Sequence, residues 1–129
     1  MSSDDYQTDT RLMNLFRGWL DPCPYKGKES GPDGLLMDWN VNTFVNPPYS
    51  NVKPWVRKAI HDNRTYGSSI VLLLKMDTST MWFAELKQAG AHFLWINRRL
   101  RYESGRQAPF PSMLAVLEGK EKERSIPSY

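Results

Sequence analysis

The strongest constraint on the fold is SIVLLLK at residues 69–75, whose apolar run is continuous rather than alternating. A strand with one wet face alternates. An unbroken run therefore predicts a strand covered on both faces, as in a parallel sheet with helices on each side. The run is far too short to span a bilayer, so no membrane partner is expected. The first ten residues, MSSDDYQTDT, are polar and acidic, unlike a signal peptide. With 40% hydrophobic residues and five tryptophans, 129 residues supply material for one core. A single compact domain over 1–129 is expected, with 1–10 and 120–129 as loosely attached ends.

The flanking sequence extends this pattern. GLLMDWNVNTFV at 34–45 has short apolar runs bounded by Gly and Asn, suiting one or two short strands that end at Asn46. Ser50 or Asn51 then caps a helix with Pro54 in its first turn. Val52, Trp55, Val56, Ala59 and Ile60 mark its buried face, and Lys53, Arg57 and Lys58 its exposed one. A second helix is predicted from a cap at Asp77 or Thr78 through Trp82, Phe83, Leu86 and Ala89 to Gly90. AHFLWIN and SMLAVLEG read as strands, separated by the basic, Gly/Pro-punctuated RRLRYESGRQAPFP. Strand, helix, strand, helix, strand is the order of a doubly wound α/β sheet, whose ligands bind at the carboxyl ends of the strands.

Charge and metal chemistry narrow the function classes. A formal net charge of +3 permits an anionic partner without demanding one. Cys23 is the only cysteine, which excludes an intramolecular disulfide and a cysteine-cluster zinc site. His61 and His92 are far apart, so no metal is expected. A reducing cytoplasm is the simplest setting.

Asn46-Pro47-Pro48-Tyr49 falls on the expected carboxyl rim. In isolation such a run also suits a rigid turn or a proline-rich ligand. Its place between an apolar strand and an amphipathic helix favours a rim loop with chemistry. The exocyclic amine of adenine is a poor nucleophile because its lone pair is delocalised into the ring. Two acceptors, the Asn46 side-chain carbonyl and the Pro47 backbone carbonyl, would favour the more nucleophilic tetrahedral amine as the transition state forms. The prolines restrict φ at 47 and 48 and so aim the carbonyl, and Tyr49 offers a flat face for an extruded base.

The chain resembles the small DNA N6-adenine methyltransferases of phages and prophages, the phage Dam-like family. The resemblance runs from about Trp19 to Gly119, on LDPCP, DGLLMDW, TFVNPPYSN, LLLKMDTSTMWF, INRRLRYESG and APFPSMLAVLEG in that order. It implies a compact, doubly wound, Rossmann-like fold with a mainly parallel sheet, S-adenosyl-L-methionine as cofactor and double-stranded DNA as partner. By resemblance, Asn46, Pro47, Pro48 and Tyr49 are the catalytic tetrad. Asp21, Pro22 and Cys23 correspond to the opening of the cofactor loop, and Asp33 to a further cofactor contact. Turn or cap roles for Asp21 and Asp33, and a buried filler role for Cys23, remain alternatives.

Three departures accompany the likeness. PYKGKESG places Gly27 and Gly31 at irregular spacing with Glu29 between them, the stretch from DPCP to NPPY is short, and Lys75 stands where relatives often have proline. With no large separate recognition domain expected, DNA contact falls to Arg98, Arg99, Arg101, Arg106 and Lys53, with Arg57 and Lys58 beside them. Each has a solvated basic surface as its alternative. A protein glutamine methyltransferase, which has the same tetrad, and a non-catalytic nucleic-acid-binding relative are the competing functions.

Overall fold

The computed structural model describes residues 10–24, 33–96 and 110–120. Its elements are α1 (Thr10–Leu15), α2 (Asp33–Leu36), β1 (Thr43–Val45), a 3-10 turn (Tyr49–Asn51), α3 (Lys53–Tyr66), β2 (Ile70–Lys75), α4 (Met81–Gln88), β3 (His92–Trp95) and β4 (Ser112–Leu117). The strands form one sheet in the order β1-β2-β4-β3. β1 pairs in parallel with β2, and Thr43 sits opposite Ile70. β4 is antiparallel to both β2 and β3. The sheet is therefore mixed, which corrects the expectation of a mainly parallel one. Three strands share a direction and the last in sequence is inserted between two of them, reversed.

The continuous apolar run has the expected consequence: β2 is buried at every position except Lys75. Its side chains alternate between two cores. Ile70, Leu72 and Leu74 join Trp39, Trp55, Val56, Ala59, Leu86 and Met113 beneath α3 and α4. Val71 and Leu73 face the other way, with Phe44 and Leu114, against Leu12 of α1. Full burial of each such aliphatic side chain stabilises the fold by about 1.5–3 kcal/mol, so the two-faced packing of this strand dominates the core.

Local chemistry sets the helix boundaries. α3 is entered through Val52 with no side-chain cap, not capped by Ser50 or Asn51, which the preceding 3-10 turn takes up; it has proline in its first turn, where the missing N–H is not needed, and ends at Gly67 in the left-handed region (φ 70°). Trp55, Val56 and Ala59 are buried as the periodicity predicts, with Asp62 buried among them. The cap of α4 is Thr80, whose hydroxyl accepts from the Phe83 N–H at 3.2 Å. It is not Asp77 or Thr78, because the Asp77 carboxylate instead accepts from Ser79 N and Oγ at 3.1 and 2.6 Å. Those two bonds also hold its pKa below the ordinary aspartate value.

Between 34 and 45 only Thr43–Val45 is strand. Residues 33–36 form a helical turn instead. Trp39 anchors the connection: its indole N–H donates to Gly34 O (2.9 Å), its backbone N–H to Asp62 Oδ2 (2.9 Å), and its carbonyl accepts from Ser68 Oγ (2.7 Å). Among the described residues no helix is long and apolar enough to cross a membrane.

Candidate active site

β1, β2 and β3 point the same way, so their carboxyl ends share one rim. Asn46 is the first residue beyond β1, half-buried, with Pro47 buried behind it and Pro48 and Tyr49 half-buried. Pro48 is extended (φ −67°, ψ 130°), and its carbonyl accepts from Asn51 N–H at 3.0 Å, closing the turn that leads into α3. The two prolines thus hold the crossing from strand to helix in one shape. Tyr49 packs partly on the core and makes a T-shaped contact with Phe110, with ring centroids 4.8 Å apart and planes at 88°.

The segment with Asp21, Pro22 and Cys23 reaches the same rim. Leu20 forms a parallel bridge to Thr43 on the free side of β1: its N–H donates to Asn42 O (2.9 Å) and its carbonyl accepts from Phe44 N–H (2.8 Å). The chain leaving Leu20 therefore runs beside β1 toward Asn46. Asp21 and Cys23 are half-buried and Pro22 is buried. Asp33 opens α2, and its neighbour Gly34 packs directly on the Pro22 carbonyl. A Cβ at Gly34 would fall on that oxygen, 2.8 Å from the carbonyl carbon and 3.1 Å from the Trp55 ring. Glycine at 34 is what lets the two candidate cofactor segments close on each other. The intervening Gly27, Glu29 and Gly31 lie outside the described residues.

The basic residues divide into three groups. Lys53, exposed, begins α3 close to the tetrad. Arg57 is engaged by Glu85, with Nε and Nη2 donating to its two carboxylate oxygens at 3.2 and 2.9 Å, and this pairing lowers the Glu85 pKa. Lys58 lies over the Trp39 ring and bridges to Asp62 Oδ2 at 2.9 Å, so its role is structural. Arg98, Arg99, Arg101 and Arg106 lie outside the described residues. Their described neighbours in sequence, Ile96 and Phe110, are both at the rim, since Ile96 N–H donates to Ser112 O (3.2 Å) and Met76 N–H to Pro111 O (2.9 Å).

A separate cleft lies between α3 and α4, lined by Arg57, Ile60, His61, Arg64, Glu85 and Gln88; no tetrad residue borders it.

Two participants were not anticipated from sequence. Phe110 buttresses Tyr49, and Asp62 holds the loop before β1. Burial pushes the Asp62 carboxyl pKa up, but hydrogen bonds from His61, from the Trp39 N–H and from Lys58 outweigh it and leave it below the usual value. Among the described residues no three His, Cys, Asp or Glu side chains converge as metal ligands.

The rim thus carries a carboxylate at Asp21, an aromatic ring at Tyr49 and an amide at Asn46, a donor set that fits a cationic organic group beside a planar base. By architecture this is an α/β protein with a mixed four-stranded sheet and Asn46–Tyr49 at the carboxyl end of β1. The chain is a member of the DNA N-6-adenine-methyltransferase (Dam) family, whose family model matches residues 27–126. A DNA N-6-adenine-methyltransferase of Escherichia phage T1 is 34% identical over 82 residues, covering 63% of this chain and 34% of the phage protein. Another, from Haemophilus phage HP1 (strain HP1c1), is 32% identical over 102 residues, 73% of this chain and 59% of that protein. The chain therefore spans between a third and three-fifths of the length of these relatives. No solved structure matches it.

Proposed function

We propose that this chain is an S-adenosyl-L-methionine-dependent DNA adenine-N6 methyltransferase, acting on double-stranded DNA in the cytoplasm of a bacterial, archaeal or phage-infected host cell. The observation that carries the reading is the placement of Asn46–Tyr49 at the end of β1, with Asp21–Cys23 running alongside. Family membership and the activity by which both phage relatives are named agree with it.

The cofactor, when bound, supplies an electrophilic methyl group on a sulfonium centre. Asp21, Pro22 and Cys23, with Asp33 at the start of α2, are the residues that would hold it. A carboxylate next to a positive sulfonium or ammonium group is the charge pairing this segment offers. The chain's own work is on the acceptor. Tyr49 stacks the extruded adenine, a contact worth about 1–3 kcal/mol. The Asn46 and Pro47 carbonyls accept the two amine hydrogens and draw the nitrogen toward a tetrahedral, nucleophilic form. Forming the N–C bond would break the donor's sulfonium–methyl bond and leave a neutral thioether, so the amine would become positively charged and acidic and lose one proton to water. No strong base is required, so catalysis is positioning and amine polarisation. A Rossmann-like relationship is supported by the βαβ path from β1 through α3 to parallel β2, with helices on both faces.

The test is transfer of labelled methyl to DNA by wild type and by Asn46→Ala, with circular dichroism as a folding control. Loss of one preorganised polar contact predicts at least about a 100-fold fall in kcat. Undiminished transfer by a folded Asn46→Ala protein refutes the assignment, and label appearing in protein rather than DNA reassigns the substrate.

A further inference from the structure

We infer that Lys75 is a phosphate-binding residue of the rim, contacting the DNA backbone beside the base that Tyr49 receives. The inference deepens the DNA reading above and rests on it. Five of the six β2 residues are buried, and the strand breaks into solvent at this lysine, on the rim that carries the tetrad. Its ammonium lies 5.5 Å from the centre of the Phe110 ring, the ring whose other contact is the edge-on one with Tyr49 at 4.8 Å. Cation and stacking face are thus placed against one shared ring.

The backbone that follows the ring is fixed. Pro111 O accepts from Met76 N–H at 2.9 Å, and Ser112 pairs with Lys75 at the start of β4. Both the cation and its support are therefore built into the sheet.

The charge on Lys75 also differs from that of its basic neighbours. Lys58 is paired with Asp62 and Arg57 with Glu85. Among the described residues no carboxylate lies within ion-pair distance of Lys75. Asp77, two residues on, has one carboxylate oxygen bound by both Ser79 N–H and Oγ. An ammonium lying against an aromatic face loses part of its conformational freedom without being tied to a carboxylate. That suits a point-charge contact to a phosphate.

The experiment measures binding of a short labelled duplex over a range of salt concentrations, comparing wild type with Lys75→Gln, Lys75→Arg and Lys87→Gln. Lys87 is exposed in the last turn of α4, the end leading away from the rim, and its substitution removes the same charge. The expected result is a slope of log affinity against log salt that is shallower by about 0.9 for Lys75→Gln and unchanged for Lys75→Arg and Lys87→Gln. KM for DNA should rise in Lys75→Gln with kcat nearly constant, and cofactor binding by calorimetry should not change. An unaltered slope in Lys75→Gln, or an equal change in Lys87→Gln, overturns the inference and leaves the methyltransferase reading standing. A wild-type protein that shows no salt-dependent DNA binding removes the DNA reading itself, and Lys75 with it.

Discussion

Removing the Asp62 carboxylate is expected to destabilise the fold far more than its helix-surface spacing from Lys58 would suggest. Asp62 is 1% exposed and has three partners: Trp39 N–H and Lys58 Nζ, each 2.9 Å from Oδ2, and His61 Nδ1, 2.7 Å from Oδ1. Asp62→Ala strands a mostly buried ammonium and a buried backbone donor together. Breaking a buried pair from one side costs about 3–5 kcal/mol. The lower end applies here, because the Lys58 side chain keeps 17% exposure and water relaxes part of the penalty. About 3 kcal/mol corresponds to a fall in Tm on the order of 10 °C for a chain of this size.

Asp62→Asn retains an acceptor for Trp39 and Lys58 and should lose about half as much. The two substitutions also separate by pH. The native Asp62 pKa is lowered, so its stabilisation is fully present above the unfolded value, about 3.9, and is lost as pH falls through the native one. The stability gap between wild type and Asp62→Asn, measured by urea unfolding, should therefore be constant above about pH 5 and narrow below about pH 4. A gap that stays constant down to pH 3, or an Asp62→Ala protein within about 1 kcal/mol of wild type, would refute the clamp.

Two further substitutions test the local arguments. Gly34→Ala puts a methyl onto the Pro22 carbonyl and should cost about 1–3 kcal/mol by overpacking; calorimetry should show weaker cofactor binding because Asp21–Cys23 is displaced. Thr80→Ala removes the acceptor for Phe83 N–H and should lower the urea-derived stability by about 1 kcal/mol without changing methyl transfer.

What the sequence disclosed follows from which interactions are local. The stripe of Trp55, Val56 and Ala59 in α3 and the unbroken run of β2 are each decided within a few turns or strand positions, and both are buried as expected, while Ile60 at the end of the stripe is only half-buried and Val52 precedes the helix. The direction of β4 is not decided locally. SMLAVL is buried almost throughout, and such a run looks the same whichever way the strand runs; its pairing with β2 and β3 settles the matter. α1 and α2 are six and four residues long, too short for a period to register, and they stand because Leu12 meets the sheet and Gly34 meets Pro22. At α4, Asp77 and Thr80 both have cap chemistry, and only the Ser79 contact decides between them.

The site shows the same division. The rim position of Asn46–Tyr49 was legible because the strand–Pro-Pro–helix order is local. Asp62 was not: four residues after Lys58, it reads as half of a surface ion pair until Trp39 folds across it. Phe110 sits in a proline-punctuated segment with no period, and its meeting with Tyr49 joins residues 61 positions apart.

The reversed strand also governs when the molecule can become itself. Among the described strands β4 is translated last but occupies an inner position, flanked by β2 on one side and β3 on the other. A nascent chain that has emerged only as far as Trp95 has two strands with open backbone edges and an apolar surface that nothing yet covers. Its sheet closes in one late event, when Ser112–Leu117 leave the ribosome and slot between partners that have waited for them.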